Sequence, residues 1–301
     1  ITSACMEQTF STLDKLPPGE DTAYLDDAES TGDNEYNDEN EDSDVPEEAE
    51  TEEEPEELEV EPPPEDDCTD SSDLIYTVDK NTQKMYLYDP INNAFSLLGS
   101  LPCDDWGWEG VPGSMSVSRD GYAYVRYSGG LLYEVDVTDL SCEEAGFTSS
   151  SFGAFGMGYA THTNNTWQDQ LYIANSDSIA SLDPQSGQMT TIGNMPSQSE
   201  LTGNAAGELW AFLPLEQPAQ LAQIDKQTGD IIDSISLNSF SLDNLDTFAF
   251  ASWGGDFYLF VRLYGDSTKV FKVDRNGTQT EVLSDTGLNI VGAGVSTCAP
   301  A

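Results

Sequence analysis

Three carboxylates, Glu109, Glu200 and Asp246, sit at comparable places along this chain, each in a loop leading into a stretch of small and apolar residues. Two carboxylates flanking a glycosidic bond can act as acid and base, or as acid and nucleophile. Hard oxygen ligands of this kind can instead hold a cation, calcium being the one they suit. Asp104 and Asp105 lie further back in the first of these loops, which reads CDDWGWEGVPG from Cys103 to Gly113 and sets Trp106 and Trp108 two residues apart. Phe152 and Phe155 lead into a later stretch of the same kind. Exposed rings of this sort stack on sugars or anchor a protein partner, and the same rings also serve to fill space between sheets. The sole histidine, His162, lies beside the polar loop Thr163–Gln168 and reads as a surface turn residue rather than a base. No CxxC, HExxH, Walker, dinucleotide-binding or EF-hand pattern occurs.

Positioning these residues falls to a repeat. Five segments alternate apolar residues, reach an aspartate and turn: they end at Asp89, Asp136, Asp183, Asp225 and Asp274, spaced 47, 47, 42 and 49 residues apart. A period in that range with strand character is the sequence mark of a β-propeller, one blade per period. Each aspartate is expected to accept hydrogen bonds from backbone N–H groups just ahead and close an Asx turn, which makes it a turn former rather than a ligand. Innermost strands crowd a narrow axis and need small side chains, which Ser114–Ser116, Gly156–Gly158, Thr202–Ala205 and Gly292–Gly294 provide. These strands carry no Asp or Glu, which counts against catalysis at the axis. The first blade lacks such a strand, and the segment Asn289–Thr297 has the composition to supply it from the C-terminus. The fold class is therefore all-β, a five-bladed propeller closed by a C-terminal strand.

Composition divides the chain. Residues 1–68 hold 27 acidic residues against the single base Lys15, with few apolar side chains after Asp38. Such a segment cannot bury enough surface to offset the entropy of ordering, so it reads as a disordered acidic tether. Residues 69–301 form the propeller and still carry 29 acids against nine bases. Phosphate recognition needs a basic stripe, so nucleic acid is excluded as a partner. No apolar run is long enough to span a bilayer.

The opening residues Ile1-Thr2-Ser3-Ala4-Cys5 resemble the end of a bacterial lipoprotein signal, which makes Cys5 a lipidation candidate and the only membrane link a lipid anchor. The four remaining cysteines point to two disulfides and an oxidising compartment. Ring closure brings Cys298 toward Cys68, a latch around roughly 230 residues worth at most about 5 kcal/mol in chain entropy. Cys103 and Cys142 then pair by elimination.

Met85–Asp89, the turns at Gly229 and Gly277, and the segments Trp253–Phe260 and Ala293–Pro300 resemble a group of uncharacterised exported bacterial β-propeller proteins with a lipoprotein-like start and an acidic linker. The likeness spans roughly residues 70–300. It implies the propeller fold and an exported location, at the outer membrane, the cell surface or outside the cell, and no particular activity. Taken together, the sequence reads as a binding or scaffolding module for a protein or carbohydrate ligand. Trp106, Trp108, Glu109, Phe155, Glu200 and Asp246 form its expected recognition face, with no cofactor beyond a calcium ion. The alternatives are a carbohydrate-active hydrolase using the axial carboxylates, and a structural surface or filament component that self-associates.

Overall fold

Alternating apolar runs, each stopped by a turn-forming Asp, Asn or Gly, fold into twenty β-strands, and no α-helix occurs among the described residues. The structure, a computed structural model, describes residues 74–103, 110–149, 152–162, 165–204, 206–238 and 242–300. Blade one contains β1 (Ile75–Asp79), β2 (Lys84–Asp89) and β3 (Ala94–Ser100). Blade two contains β4 (Pro112–Val117), β5 (Tyr122–Tyr127), β6 (Leu131–Asp136) and β7 (Cys142–Thr148). Blade three is built from β8 (Gly156–His162), β9 (Asn165–Ala174), β10 (Ser178–Leu182) and β11 (Met189–Asn194). Blade four follows with β12 (Glu200–Gly203), β13 (Leu209–Leu213), β14 (Ala219–Ile224) and β15 (Ile231–Leu237). Blade five comprises β16 (Leu245–Trp253), β17 (Asp256–Leu263), β18 (Lys269–Val273) and β19 (Gln279–Leu283), and β20 (Ile290–Gly294) ends the series.

Each blade is a four-stranded antiparallel sheet, and β20 supplies the innermost strand of blade one in the order β20-β1-β2-β3. Its register sets Gly294 opposite Tyr76 and Gly292 opposite Val78. The innermost strands touch in sequence, β20 to β4, β4 to β8, β8 to β12, β12 to β16 and β16 back to β20, which closes the ring. A C-terminal strand completing the N-terminal blade removes the open edge that a ring would otherwise expose. Asp79 reinforces the joint. One of its carboxylate oxygens accepts the Asn81 and Thr82 N–H groups at 3.1 and 2.7 Å, and the other accepts Asn289 N–H at 2.6 Å.

Position in the blade governs composition. Strands buried on both faces, such as β13 and β20, are apolar or small throughout, whereas β3 and β15 at the rim are exposed along most of their length. Near the axis, size is decisive: a Cβ on Gly158 would lie 2.7 Å from the backbone carbon of Leu201 in the next blade. The small residues also bond across blades. Ser116 Oγ accepts Tyr159 N–H at 2.9 Å, and Thr202 Oγ1 accepts Ser252 N–H at 3.0 Å. Five hydrophobic clusters fill the junctions between neighbouring blades, for example Tyr88, Tyr258 and Phe260 between blades five and one, and Phe212, Phe250 and Phe257 between four and five.

All five repeat aspartates close Asx turns. Asp89 accepts Ile91 N–H at 2.8 Å, Asp136 accepts Thr138 at 2.8 Å, Asp183 accepts Gln185 at 3.0 Å, Asp225 accepts Gln227 at 2.7 Å and Asp274 accepts Asn276 at 2.9 Å. Cys103 and Cys142 are disulfide-bonded, and both lie against the cluster shared by blades one and two. Cys298 is disulfide-bonded as well, and its expected partner Cys68 lies outside the described residues. One expectation needs correcting: the loop placed at Thr163–Gln168 is shorter, because β9 begins at Asn165 and continues the hairpin with β8, His162 facing Asn165. No helix among the described residues is long and apolar enough to cross a membrane.

Candidate functional site

Innermost strands begin on one face of the ring, here the front, and end on the other, the back. At the front, Glu200 opens β12 and Asp246 is the second residue of β16. Two innermost strands thus do carry a carboxylate, contrary to the expectation that both residues lie in the preceding loops. Both line an opening of about 230 Å³ with Lys80, Arg126 and Ser128. These residues come from blades one, two, four and five, which can meet only about the axis. Glu200 is 5 % exposed, and its Oε2 accepts the Ser114 hydroxyl at 2.8 Å. Burial pushes its carboxyl well above the usual range, with the Ser114 hydroxyl, the Arg126 guanidinium and the Met157 N–H pulling the other way. Arg126 donates from Nε to the Phe155 carbonyl at 3.0 Å, and its guanidinium lies 5.6 Å from the centre of the Phe155 ring. Asp246 is ion-paired with Arg262.

The expected recognition face is thus partly assembled. Glu200 and Asp246 share one opening, but each is engaged by a protein neighbour. Phe155 is only 1 % exposed and packs against Phe147 and Phe152, so its ring belongs to the interior between blades two and three rather than to a contact surface. Trp106, Trp108 and Glu109 lie outside the described residues. No group of three or more His, Cys, Asp or Glu side chains that could hold a metal occurs among the described residues.

The back face carries a larger cleft, about 700 Å³, where blades two and three meet. Arg119 follows β4, and Asp169 projects from β9 with its side chain 5 % exposed; they form an ion pair of 3.0 Å. Thr297, just past the closing strand, donates from Oγ1 to Asp169 at 2.6 Å. Blade two, blade three and the C-terminal segment therefore fix one charged pair. The opposite wall is the turn after Asp183. There the Gln185 amide donates to the Tyr124 hydroxyl at 3.2 Å and also to Glu134, which accepts the Tyr124 hydroxyl too. Burial, first, and the Glu134 hydrogen bond both push the Tyr124 phenol above its ordinary value, so it stays a neutral donor. The turn cannot drift: Gly146 N–H donates to the Pro184 carbonyl at 2.8 Å, and a Cβ on Gly187 would meet Gly146 O at 2.2 Å. Gly187 also has φ of +71°, which favours glycine. His162 and Gln170 line both this cleft and a second opening of about 260 Å³ that runs on toward Lys226, whose pKa is lowered by burial.

No family model matches the chain, and no curated protein matches it. Solved structures do. A chain from the crystal structure of a nidogen/laminin complex aligns with a TM-score of 0.50 at 9 % identity, over 74 % of this chain and 97 % of that one. A protein of unknown function from Bacteroides caccae aligns at 0.45 and 12 % identity, over 74 % and 98 % of the two chains. Another, from Bacteroides thetaiotaomicron, aligns at 0.45 and 12 %, over 76 % and 62 %. At 9 % identity the likeness to the chain from the nidogen/laminin complex is one of fold alone.

The back cleft was not foreseen from the sequence. Asp169 carried a usable signal, because in β9 it shares the alternation of Leu171 and Ile173, both buried. A charge on the inward parity of a strand is unexpected without a partner. Its partner, Arg119, is fifty residues earlier and nothing local announces it.

Proposed function

We propose that this chain is an exported binding module whose propeller holds its ligand in the back cleft between blades two and three. The observation that carries this reading is the cleft itself: about 700 Å³, within the range of ligand sites, with polar walls already fixed by internal hydrogen bonds. Fixed walls lower the ordering cost of binding. A chain of the same fold occurs in a nidogen/laminin complex, which agrees with the fold serving as a binding platform. The Cys103–Cys142 disulfide supports folding in an oxidising compartment. On this reading residues 1–68 are an acidic tether, Cys5 carries a lipid, Cys68 latches to Cys298, and the ligand is a protein or a carbohydrate. The hydrolase alternative has less behind it, since Asp246 is committed to Arg262 and Glu200 is enclosed.

A ligand that binds only the native state raises the melting temperature. The full chain, melted with a pooled library of peptides and oligosaccharides, should gain several degrees. Gln168→Trp, at an exposed position on the cleft, should abolish the gain. An unchanged gain in that variant would place binding elsewhere.

A further inference from the structure

We infer that the ligand of the back cleft is a neutral oligosaccharide, an inference that rests on the binding-module reading above. Charge is the first argument. Arg119 and Asp169 neutralise each other within the wall, which leaves the exposed Asp120 as the carboxylate not cancelled by an ion pair there. A propeller with 29 acids and nine bases repels polyanions over the whole approach, so uronates, phosphates and nucleic acids are disfavoured before contact.

Chemistry is the second. The exposed polar side chains on the cleft include the Asp120 carboxylate and the Gln168 primary amide, whereas the Gln170 amide already donates to the Leu171 and Leu182 carbonyls. A carboxylate accepts from two neighbouring hydroxyls, and a primary amide accepts and donates side by side, which matches the adjacent hydroxyls of a sugar ring. Tyr124 and Tyr159 line the cleft as buried rings, 5 % and 7 % exposed, and so close it rather than offer a stacking face.

Shape is the third. His162 and Gln170 belong to both openings, so the cleft runs across blade three from Tyr124 to Lys226 rather than ending in one cup. An elongated polar trough fits a linear chain of rings better than a single small molecule. Peptides dock by adding a strand to a free edge or by seating apolar anchors in a groove. This lining offers no free edge, since β8 and β9 are paired along the trough, and few apolar anchor points, Pro184 being the aliphatic side chain in the larger opening and Ile192 that in the smaller.

The test is calorimetric titration of the full chain with separate probes: neutral hexasaccharides of glucose, galactose, mannose, xylose and arabinose, a hexagalacturonate, and a hexapeptide library. Asp120 and Gln168 are exposed, so Asp120→Ala and Gln168→Trp are expected to melt like the parent, which a scan without ligand checks. The expected result is binding of at least one neutral hexasaccharide, weakened about tenfold or more by either variant. Binding of peptides or the uronate alone, weakened by the same variants, overturns the sugar assignment and leaves the binding-module reading standing. Sugar binding indifferent to both variants overturns the location. No binding by any probe overturns both.

Discussion

Glu200 and the turn aspartates respond to pH with opposite signs. Buried Glu200 holds its proton more tightly when folded than in the unfolded chain, where a glutamate titrates near about 4.3. As pH rises above that value the unfolded state releases its proton first, so stability falls until the folded pKa is passed. Glu200→Gln keeps the shape and an acceptor for Ser114 while removing the titration. Urea unfolding between pH 5 and 9 should show the parent losing stability as pH rises and the variant remaining flat, the variant being at least as stable at pH 8. A variant less stable at every pH would mean that the carboxylate is ionised and holds Arg126 in place. Asp89, Asp183 and Asp274 go the other way, because hydrogen bonds from Asn92, Ser186 and Thr278 respectively lead the causes that hold their carboxyls below the usual range. Their stabilisation is present above an unfolded value near about 3.9 and fades as pH falls through the folded pKa. Asp183→Ala should therefore lower the melting temperature at pH 7, with the difference shrinking by pH 2. These side chains are almost fully exposed, so the effect is small.

The closing strand depends on one carboxylate more than on its own length. β20 pairs with β1 over a few residues, and Asp79 ties one end of that pairing by holding the β1–β2 turn and the Asn289 N–H at once. Asn289 passes the connection on, accepting Thr247 Oγ1 from blade five at 2.9 Å. Asp79→Ala should cost about 2–3 kcal/mol, the range for losing a buried charge-assisted hydrogen bond. Hydrogen exchange is the discriminating readout, since β20 amides should lose protection while β8 amides keep theirs. Equal loss in both strands would refute a local role. The contrast also shows which elements could be read in advance. The five turns were legible because each aspartate finds its donors two or three residues away, and β20 was legible because Gly292–Gly294 suits only the axis. The back cleft was not, because Arg119, Asp169, Gln185 and Thr297 come from separate elements and meet only once the blades are packed. Phe155 was misplaced for a related reason: sequence put it in a loop on the correct face but could not show that Phe147, Phe152 and Arg126 enclose it.

At the scale of the ring, every blade shares a hydrophobic cluster with each neighbour, so no blade can leave without exposing two. That arrangement favours unfolding as one unit, provided the closing strand holds. Two perturbations at distant junctions test this. Replacing both Cys103 and Cys142 by serine removes a crosslink over 39 residues, worth about 4 kcal/mol on the chain-entropy model, at the junction of blades one and two. Phe250→Ala removes a fully buried ring between blades four and five, at about 3–5 kcal/mol. In a cooperative ring, each variant should lower the midpoint of one shared transition, with the slowest-exchanging amides of blades two and five losing protection together in both. If instead the serine variant loosens only blades one and two while blade five keeps its parent protection, the ring is a row of separately stable units. The cleft between blades two and three would then open independently of the rest, and its fixed walls could not be the source of its affinity.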